Sequence, residues 1–348
     1  MIKEAIAKLV DKQDLTAKDM EAVFTEIMSG NATPSQISAF IVALRLKKET
    51  ITEITAAAKV MRRFATGVTP KAKKIVDTCG TGGDGSGTFN VSTITAIVLA
   101  AGGAHVAKHG NRSVSSSCGS ADLLEALGVN INADVRIMEK CIDEVGIGFL
   151  FAPSLHQAMK YAMPSRREIG IRTIFNILGP LTNPANATHQ ILGVFSLDLV
   201  EPLAGVLLNL GLKHAMVVHG EDGLDEVTLA GKTRICELKD NCLNTYDIKP
   251  DDFGFKKTGI NELKGSDAKT NAQIAKDILN GAKGPKRDFV VLNAGCALYV
   301  ADITPTINDG IKLAEQLLDT GKVLDVLEKF IFASQKTKTV DPRASYRE

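Results

Sequence analysis

Apolar positions before Phe64 recur every three to four residues, whereas beyond Lys73 they fall in short runs between polar loops, so the periodicity changes once along the chain. Thr16 and Asp19 have the spacing of a capping box, and Met20, Val23, Phe24 and Ile27 then keep helical spacing until Gly30. A second helix opens at Thr33, with Pro34 at its first position and Gln36 reaching back, and its buried face is Ile37, Phe40, Ile41 and Leu44. A third begins at Thr50 with Glu53 and carries Ile54, Ala57, Ala58 and Met61. Three capped helices without a strand predict a small helical domain over residues 1–66. Phe64–Lys73, with Gly67 and Pro70, forms a linker.

The second domain, residues 74–348, alternates short apolar runs with helical patterns. Lys74–Thr78, Val106–Lys108, Gly148–Phe151, Gln190–Phe195, Ala215–His219 and Phe289–Leu292 are the expected strands. Helices are expected from about Ser92 to Ala101, over Ser120–Leu127 and Leu197–Leu210, and within 268–283 and 305–333. Strands alternating with helices imply an α/β fold with a mainly parallel central sheet. Arg234–Leu238 and Cys242–Asp247 are spaced as an antiparallel hairpin at its edge.

Composition adds little that is positive but excludes several classes. The 348 residues suit roughly two domains of about 150 residues each. With 41 basic and 40 acidic side chains, no whole-molecule field draws nucleic acid or an anionic membrane. The six cysteines contain no C-x-x-C pair, which argues against a disulfide framework or zinc knuckle and suits a reducing compartment. The charged start MIKEAIAKLVDKQD lacks the apolar run of a signal peptide, and Ile94–Ala101 is too short to span a bilayer. The expected location is cytoplasmic.

Candidate chemistry lies in the loops after the strands. Asp77–Thr93 places five glycines within Gly80–Gly87, between a strand and a helix start, which is how backbone N–H groups are brought to phosphate oxygens. The loop lacks G-x-x-x-x-G-K-[ST], so it is no P-loop. Gly80, Gly82 and Gly85 do spell G-x-G-x-x-G, but no carboxylate occurs from Thr88 to Ala121, where a dinucleotide site needs one about 20 residues on. Asn90, Ser92 and Thr93 instead put an amide and two hydroxyls at the helix mouth, suited to phosphate oxygens or Mg²⁺. In Lys108–Asp122, Lys108 and Arg112 offer charge to a polyphosphate, with Asn111 and several serines as hydrogen-bonding groups. Glu221, Asp222, Asp225 and Glu226 crowd a third strand-end loop and would attract a hard cation. Residue types alone leave open an acidic surface turn here. They also leave open whether Arg166, Arg167 and Arg172 hold an aromatic carboxylate or only solvate a helix.

Six segments in this order resemble the anthranilate phosphoribosyltransferase family: GTGGD (Gly80–Asp84), NVST (Asn90–Thr93), KHGNR (Lys108–Arg112), GSAD (Gly119–Asp122), RTIFNILGPLTNP (Arg172–Pro184) and HGEDGLDE (His219–Glu226). The likeness covers most of the chain, thinning before about Leu15 and after about Leu298. It implies a nucleoside phosphorylase-like phosphoribosyltransferase fold, with the active site at the hinge between the domains and helices from about 154–185 returning to the small domain. By resemblance, Gly80, Gly83, Asp84, Thr88, Asn90, Ser92, Thr93, Lys108 and Ser120 meet phosphoribosyl pyrophosphate (PRPP). Gly80, Asn111, His156 and Arg166 meet anthranilate, and Ser92, Asp225 and Glu226 hold Mg²⁺. A homodimer formed by the helical domain is implied too. Two positions depart from the family pattern: Ser117, where relatives often carry Lys or Arg, and Gln157, where they commonly carry Pro.

The implied reaction transfers the phosphoribosyl group to the amine of anthranilate, the second step of tryptophan biosynthesis from chorismate. It relies on positioning and charge neutralisation, and no residue is assigned as general base. Two alternatives share the fold. A pyrimidine nucleoside phosphorylase has a different, lysine-rich phosphate site and less need of Asp225–Glu226. A non-catalytic nucleic-acid-binding relative would need a basic surface that this near-neutral chain lacks.

Overall fold

A computed structural model of the chain describes residues 1–113 and 117–336. Helices α1 (Ile2–Val10), α2 (Ala17–Met28), α3 (Pro34–Lys47) and α4 (Ile51–Phe64) form the N-terminal unit. The capping boxes expected at Thr16, Thr33 and Thr50 are all formed, each hydroxyl accepting the backbone N–H three residues on. Helix α1 carries no side-chain cap, the signal by which the other three are legible.

Beyond the linker come β1 (Val76–Asp77), α5 (Val91–Ala101), β2 (Val106–Gly110), α6 (Ser120–Leu127), α7 (Val135–Glu144) and β3 (Ile147–Phe151). Three short helices follow, α8 (Ala152–Leu155), α9 (Met163–Ile169) and α10 (Phe175–Leu181), then β4 (His189–Gly193), α11 (Val200–Asn209) and β5 (His214–Gly220). The hairpin β6 (Thr233–Lys239) and β7 (Cys242–Ile248) precedes α12 (Ala268–Leu279), α13 (Pro285–Val300), α14 (Ile307–Asp319) and α15 (Lys322–Ser334). The sheet order is β3-β2-β1-β4-β5-β6-β7. The first five positions are parallel, and β6 and β7 add antiparallel at the edge. A mostly parallel sheet with a small helical unit is the expected α/β fold.

One expected strand is wrong. Phe289–Leu292 lies inside α13, whose residues from Phe289 to Leu298 are all buried. A helix buried on every side shows no amphipathic stripe, so a short apolar run within it cannot be told from a core strand by periodicity. Leu197–Leu210 opens with a 3₁₀ turn at Leu197–Leu199 before α11, and the stretch 305–333 is two helices divided at Gly321, whose φ is +75°.

Along β5 the side chains alternate between two cores. Met216 and Val218 pack with α5 and α13, while Ala215 and Val217 pack with α11 and the N-terminal helices. The second core also takes in Phe175, Ile177, Leu178 and Leu181 of α10, with the Phe24 and Phe175 rings 5.7 Å apart. The helical unit is thus packed continuously onto one face of the sheet. Strand order reverses between β1 and β4, so a crevice opens beyond their C-terminal ends, the usual ligand position in such sheets.

Candidate active site

The glycine loop leaves β1 at this crevice and is tied down from the neighbouring strands. Thr81 N–H donates to the Gly193 carbonyl at 2.9 Å, and Phe195 N–H to the Thr81 hydroxyl at 3.1 Å. Gly82 N–H donates to Asp225 Oδ2 at 2.7 Å, which brings the acidic loop after β5 against it. Two glycines make that approach possible. A Cβ on Gly80 would lie 2.6 Å from Asp225 Oδ2, and one on Gly193 would overlap the Asp225 carbonyl oxygen.

Three carboxylates meet here. Burial pushes the Asp225 pKa up, and the nearby Asp84 charge adds to it. Glu226 is raised well above the usual range by enclosure, then by Asp225 and Asp84, with Lys108 and a hydrogen bond from Ser92 acting against the shift. Like charges held together away from water are unfavourable unless a cation joins them, and an all-oxygen set with the Ser92 hydroxyl beside it suits a hard ion such as Mg²⁺. Glu221 is exposed and Asp222 accepts from Thr228 Oγ1 at 2.7 Å, so the other two acids of that loop stand apart.

The remaining PRPP candidates surround the loop. Gly83 has φ +77°, and its carbonyl accepts from the Arg172 guanidinium. Asp84 holds Ser86 N–H and Oγ at 3.1 and 2.7 Å, and Ser86 Oγ lies 3.2 Å from Thr88 Oγ1. Thr88 bridges to Lys264, so the 263–266 segment lines the loop's far side. Asn90, at the mouth of α5, donates to the Cys118 carbonyl at 2.9 Å and accepts from Asn271 at 3.0 Å. Its amide therefore already braces the loop. Thr93 is buried, and its hydroxyl finds no partner among the described residues.

Lys108 is buried at the root of the loop, its ammonium donating to the Thr78 carbonyl at 2.8 Å. Arg112 departs from the expected phosphate role: it pairs with Asp122 at 2.7 Å and Glu125 at 2.8 Å on an exposed surface. Ser117 Oγ donates to the Ser266 carbonyl at 2.7 Å, and Ser120 Oγ to the Asn111 carbonyl at 3.3 Å. Ser115 and Ser116, among the serines expected to hydrogen-bond, lie outside the described residues.

The segment 152–181 brings the acceptor candidates. Arg166 lies 5.3 Å over the Phe175 ring, and its guanidinium makes only a weak contact to the Met163 sulfur at 3.6 Å. Burial lowers its pKa, and it makes no ion pair among the described residues. A guanidinium enclosed without a carboxylate partner is costly for the fold. His156 is buried with its Nε2 3.2 Å from His109 Nε2. Burial drives both below the ordinary imidazole range, His109 to about 3 and His156 to about 4, so both are neutral at physiological pH. Asn111 is exposed at the rim, its Oδ1 accepting from Arg112 N–H at 2.7 Å.

Sequence reasoning passed over Gly193, Asp77 and Asn183. Asp77 is fully buried and raised to about 6 by burial, against Lys108 and hydrogen bonds from Asn183 (2.7 Å) and His109 N–H (3.2 Å). A glycine closing an apolar strand was the available signal for Gly193.

Fold and site define a two-domain glycosyl transferase. The glycosyl transferase family α/β-domain model matches residues 72–324, and the family's helical-bundle model matches residues 3–65. The anthranilate phosphoribosyltransferase of Acetivibrio thermocellus is 54% identical over 331 residues, covering 95% of this chain and 96% of that protein. Among solved structures, the Thermus thermophilus anthranilate phosphoribosyltransferase superposes with TM-score 0.91 at 41% identity, over 95% of this chain and 99% of its own. The Saccharomyces cerevisiae enzyme in complex with PRPP and Mg superposes with TM-score 0.89 at 30% identity, over 96% and 97%. The chain belongs to this glycosyl transferase family and, within it, to the anthranilate phosphoribosyltransferases.

Proposed function

We propose that the crevice beyond β1 and β4 transfers the phosphoribosyl group of PRPP to the amine of anthranilate, giving N-(5-phosphoribosyl)anthranilate and pyrophosphate in tryptophan biosynthesis. The observation that carries this reading is the pairing of two opposite electrostatic deficits in one crevice. Asp225 and Glu226 are pushed up by burial and by neighbouring carboxylates, with Lys108 the cation that opposes this at Glu226, and Arg166 makes no ion pair among the described residues. PRPP with Mg²⁺ relieves the first and the anthranilate carboxylate the second.

In this reading Ser92, Asp225 and Glu226 hold Mg²⁺, which neutralises the diphosphate and makes it a better leaving group. Gly80, Gly83, Asp84, Thr88, Asn90, Ser92, Thr93, Lys108 and Ser120 bind PRPP, the glycine N–H groups and the mouth of α5 facing its oxygens. Lys108, already fixed by Thr78, adds positive charge that need not reorganise during reaction. Gly80, Asn111, His156 and Arg166 receive anthranilate, with Arg166 orienting the carboxylate so that the amine faces the anomeric carbon. The amine is neutral near pH 7 and attacks without a strong base. Arg112 is left out, because Asp122 and Glu125 occupy it.

Arg166→Ala tests the reading. A charge-assisted hydrogen bond contributes about 1.5–3 kcal/mol, so the KM for anthranilate should rise about tenfold or more while that for PRPP stays nearly constant. Loss of anthranilate fluorescence follows the reaction, and equal effects on both substrates would remove Arg166 from the acceptor site. No helix among the described residues is long and apolar enough to cross a membrane. The cytoplasm is the proposed location, supported by the free thiols of all six cysteines. A homodimer through the N-terminal helices is also proposed, supported by exposed Val10, Leu46 and Ile51 on that unit. Light scattering at micromolar concentration should give twice the chain mass, and a monomer mass there excludes it.

A further inference from the structure

We propose that Asp77, Cys79 and His109 form a second cation site, distinct from the oxygen-lined one, suited to a soft divalent ion of the zinc and cadmium class. Strand β1 ends on Asp77, Cys79 follows two residues on, and adjacent β2 delivers His109. One ligand atom from each lies within 4.8 Å of the other two. Carboxylate, thiol and imidazole together are a zinc donor set, whereas Asp84, Asp225 and Glu226 offer only oxygen.

The state of His109 is the second, independent observation. Its Nδ1 is buried without a hydrogen-bond partner among the described residues, while its Nε2 lies 3.2 Å from His156 Nε2. The Gly179 carbonyl faces the ring and favours its charged form, but lies outside hydrogen-bonding geometry with Nδ1. A ligating imidazole has this arrangement: one nitrogen is kept for the ion, and the other is held by a neighbour that fixes the ring and its tautomer. Asp77 is fixed in the same way, with Oδ2 accepting from Asn183 at 2.7 Å, Oδ1 from His109 N–H at 3.2 Å, and the Thr78 N–H also turned to the carboxylate. The Cys79 thiol has only a weak contact to the Gly80 carbonyl, at 3.6 Å, and its residue is partly buried at the start of the glycine loop.

Lys108 and Arg62 both face Asp77 and oppose a further positive charge. The thiol offsets this on binding: the S–H proton leaves to solvent as the sulfur–metal bond forms, adding one negative charge to the site. The ion would then pin the root of the glycine loop to β2. Excess zinc or cadmium would hold the loop in one position, so the site is a means of metal inhibition separate from competition with Mg²⁺.

The test is calorimetric titration of the full chain with Zn²⁺ under excess Mg²⁺, in two buffers of different ionisation enthalpy. One ion per chain with release of one proton is expected, weakened at least about tenfold in Cys79→Ser and unchanged in Cys242→Ser, which removes the exposed thiol. Failure of the wild-type protein to bind, or equal binding by Cys79→Ser, overturns the proposal. A measurement on wild type alone guards against a variant that fails to fold. Zn²⁺ should slow alkylation of Cys79, read by mass spectrometry, and leave Cys242 unaffected; no protection of Cys79, or equal protection of both, is the contrary result.

Discussion

Asp225 shows how much of this site depends on what single residues leave out. Its carboxylate lies 2.6 Å from where a Gly80 Cβ would be, and its carbonyl oxygen overlaps the place of a Gly193 Cβ, so one loop residue and one strand end must lack side chains for the acidic loop to reach the glycine loop. With Glu226 and Asp84 beside it, the result is a set of acids whose ionised forms are disfavoured by burial and by one another, with Lys108 opposing at Glu226. Such a site stores instability that a bound cation relieves. The variant Asp225→Asn with Glu226→Gln should therefore lose turnover by orders of magnitude yet melt at a higher temperature than wild type when metal is absent. Mg²⁺ should raise the wild-type melting temperature and leave that of the variant in place. A variant that melts lower without metal would mean the pair is structurally neutralised in some other way. The acids themselves were visible as a strand-end cluster, because charge is written in residue type. The need for Gly193 was not, since it arises from the adjacency of β4 and β5, which no local pattern encodes.

At the scale of elements, capping chemistry was the most legible feature, because a cap is formed within four residues of chain. Thr50 and Glu53 show the local signal also serving tertiary structure. Glu53 is fully buried and accepts from Thr50 N–H and from Leu15 N–H, each at 2.8 Å, and it pairs with the Lys47 ammonium at 2.8 Å. One carboxylate thus caps α4, fixes the entry to α2 and neutralises the end of α3. Glu53→Ala leaves the Leu15 and Thr50 N–H groups without this acceptor and the Lys47 ammonium with Asp14 alone, at 2.6 Å, so it should destabilise the protein by about 2–4 kcal/mol in denaturant titration. Glu53→Gln keeps an acceptor and should cost less; equal losses would show that packing rather than charge dominates there. Phe289–Leu292 marks the opposite case. Its helical state is set by burial on all sides of α13, and a pattern with no polar face carries no period to read. The short β1 was overextended for a related reason: Lys74 and Thr78 flank two paired residues, and pairing ends where the glycine loop must turn away.

Across the whole molecule, the two ends of the sheet are built to opposite requirements. The C-terminal ends of β1, β4 and β5 carry unneutralised charge for ligands, whereas the N-terminal ends of β4 and β5 carry a closed network. His214, the first residue of β5, has Nδ1 2.7 Å from Asp302 Oδ1 and Nε2 3.0 Å from Glu237 Oε1. His189, the first of β4, has Nε2 2.9 Å from Asp302 Oδ2, and Lys74 reaches the same carboxylate at 3.2 Å. Tyr246 and Tyr299 donate to Glu237 at 2.9 and 2.8 Å, and Lys239 donates to Tyr299 at 3.2 Å. Burial pushes the Asp302 carboxyl up, but hydrogen bonds from His214, His189 and Lys74 outweigh it and hold the group below the usual range. Glu237 is lowered in the same manner, burial being overcome by His214, Tyr299 and Tyr246. A carboxylate depressed in the folded state contributes stability that is fully present above its unfolded pKa of about 4 and is lost as pH falls through the folded value. His189 is lowered, chiefly by burial, so acid that protonates the unfolded chain first also opposes folding. All three signs agree that this end of the sheet fails in acid. Asp302→Asn is a clean probe, because residue 302 has φ +51° and asparagine tolerates that conformation well. The variant should melt below wild type at pH 7, and the gap should narrow as pH falls below about 4, where the unfolded wild-type chain takes up a proton that folded Asp302 still resists. Turnover of the folded variant should be nearly unchanged, since the network lies at the opposite end of the strands from the crevice. A melting gap that stays constant from pH 7 to pH 3 would show that Asp302 acts through packing and hydrogen-bond geometry rather than through its charge.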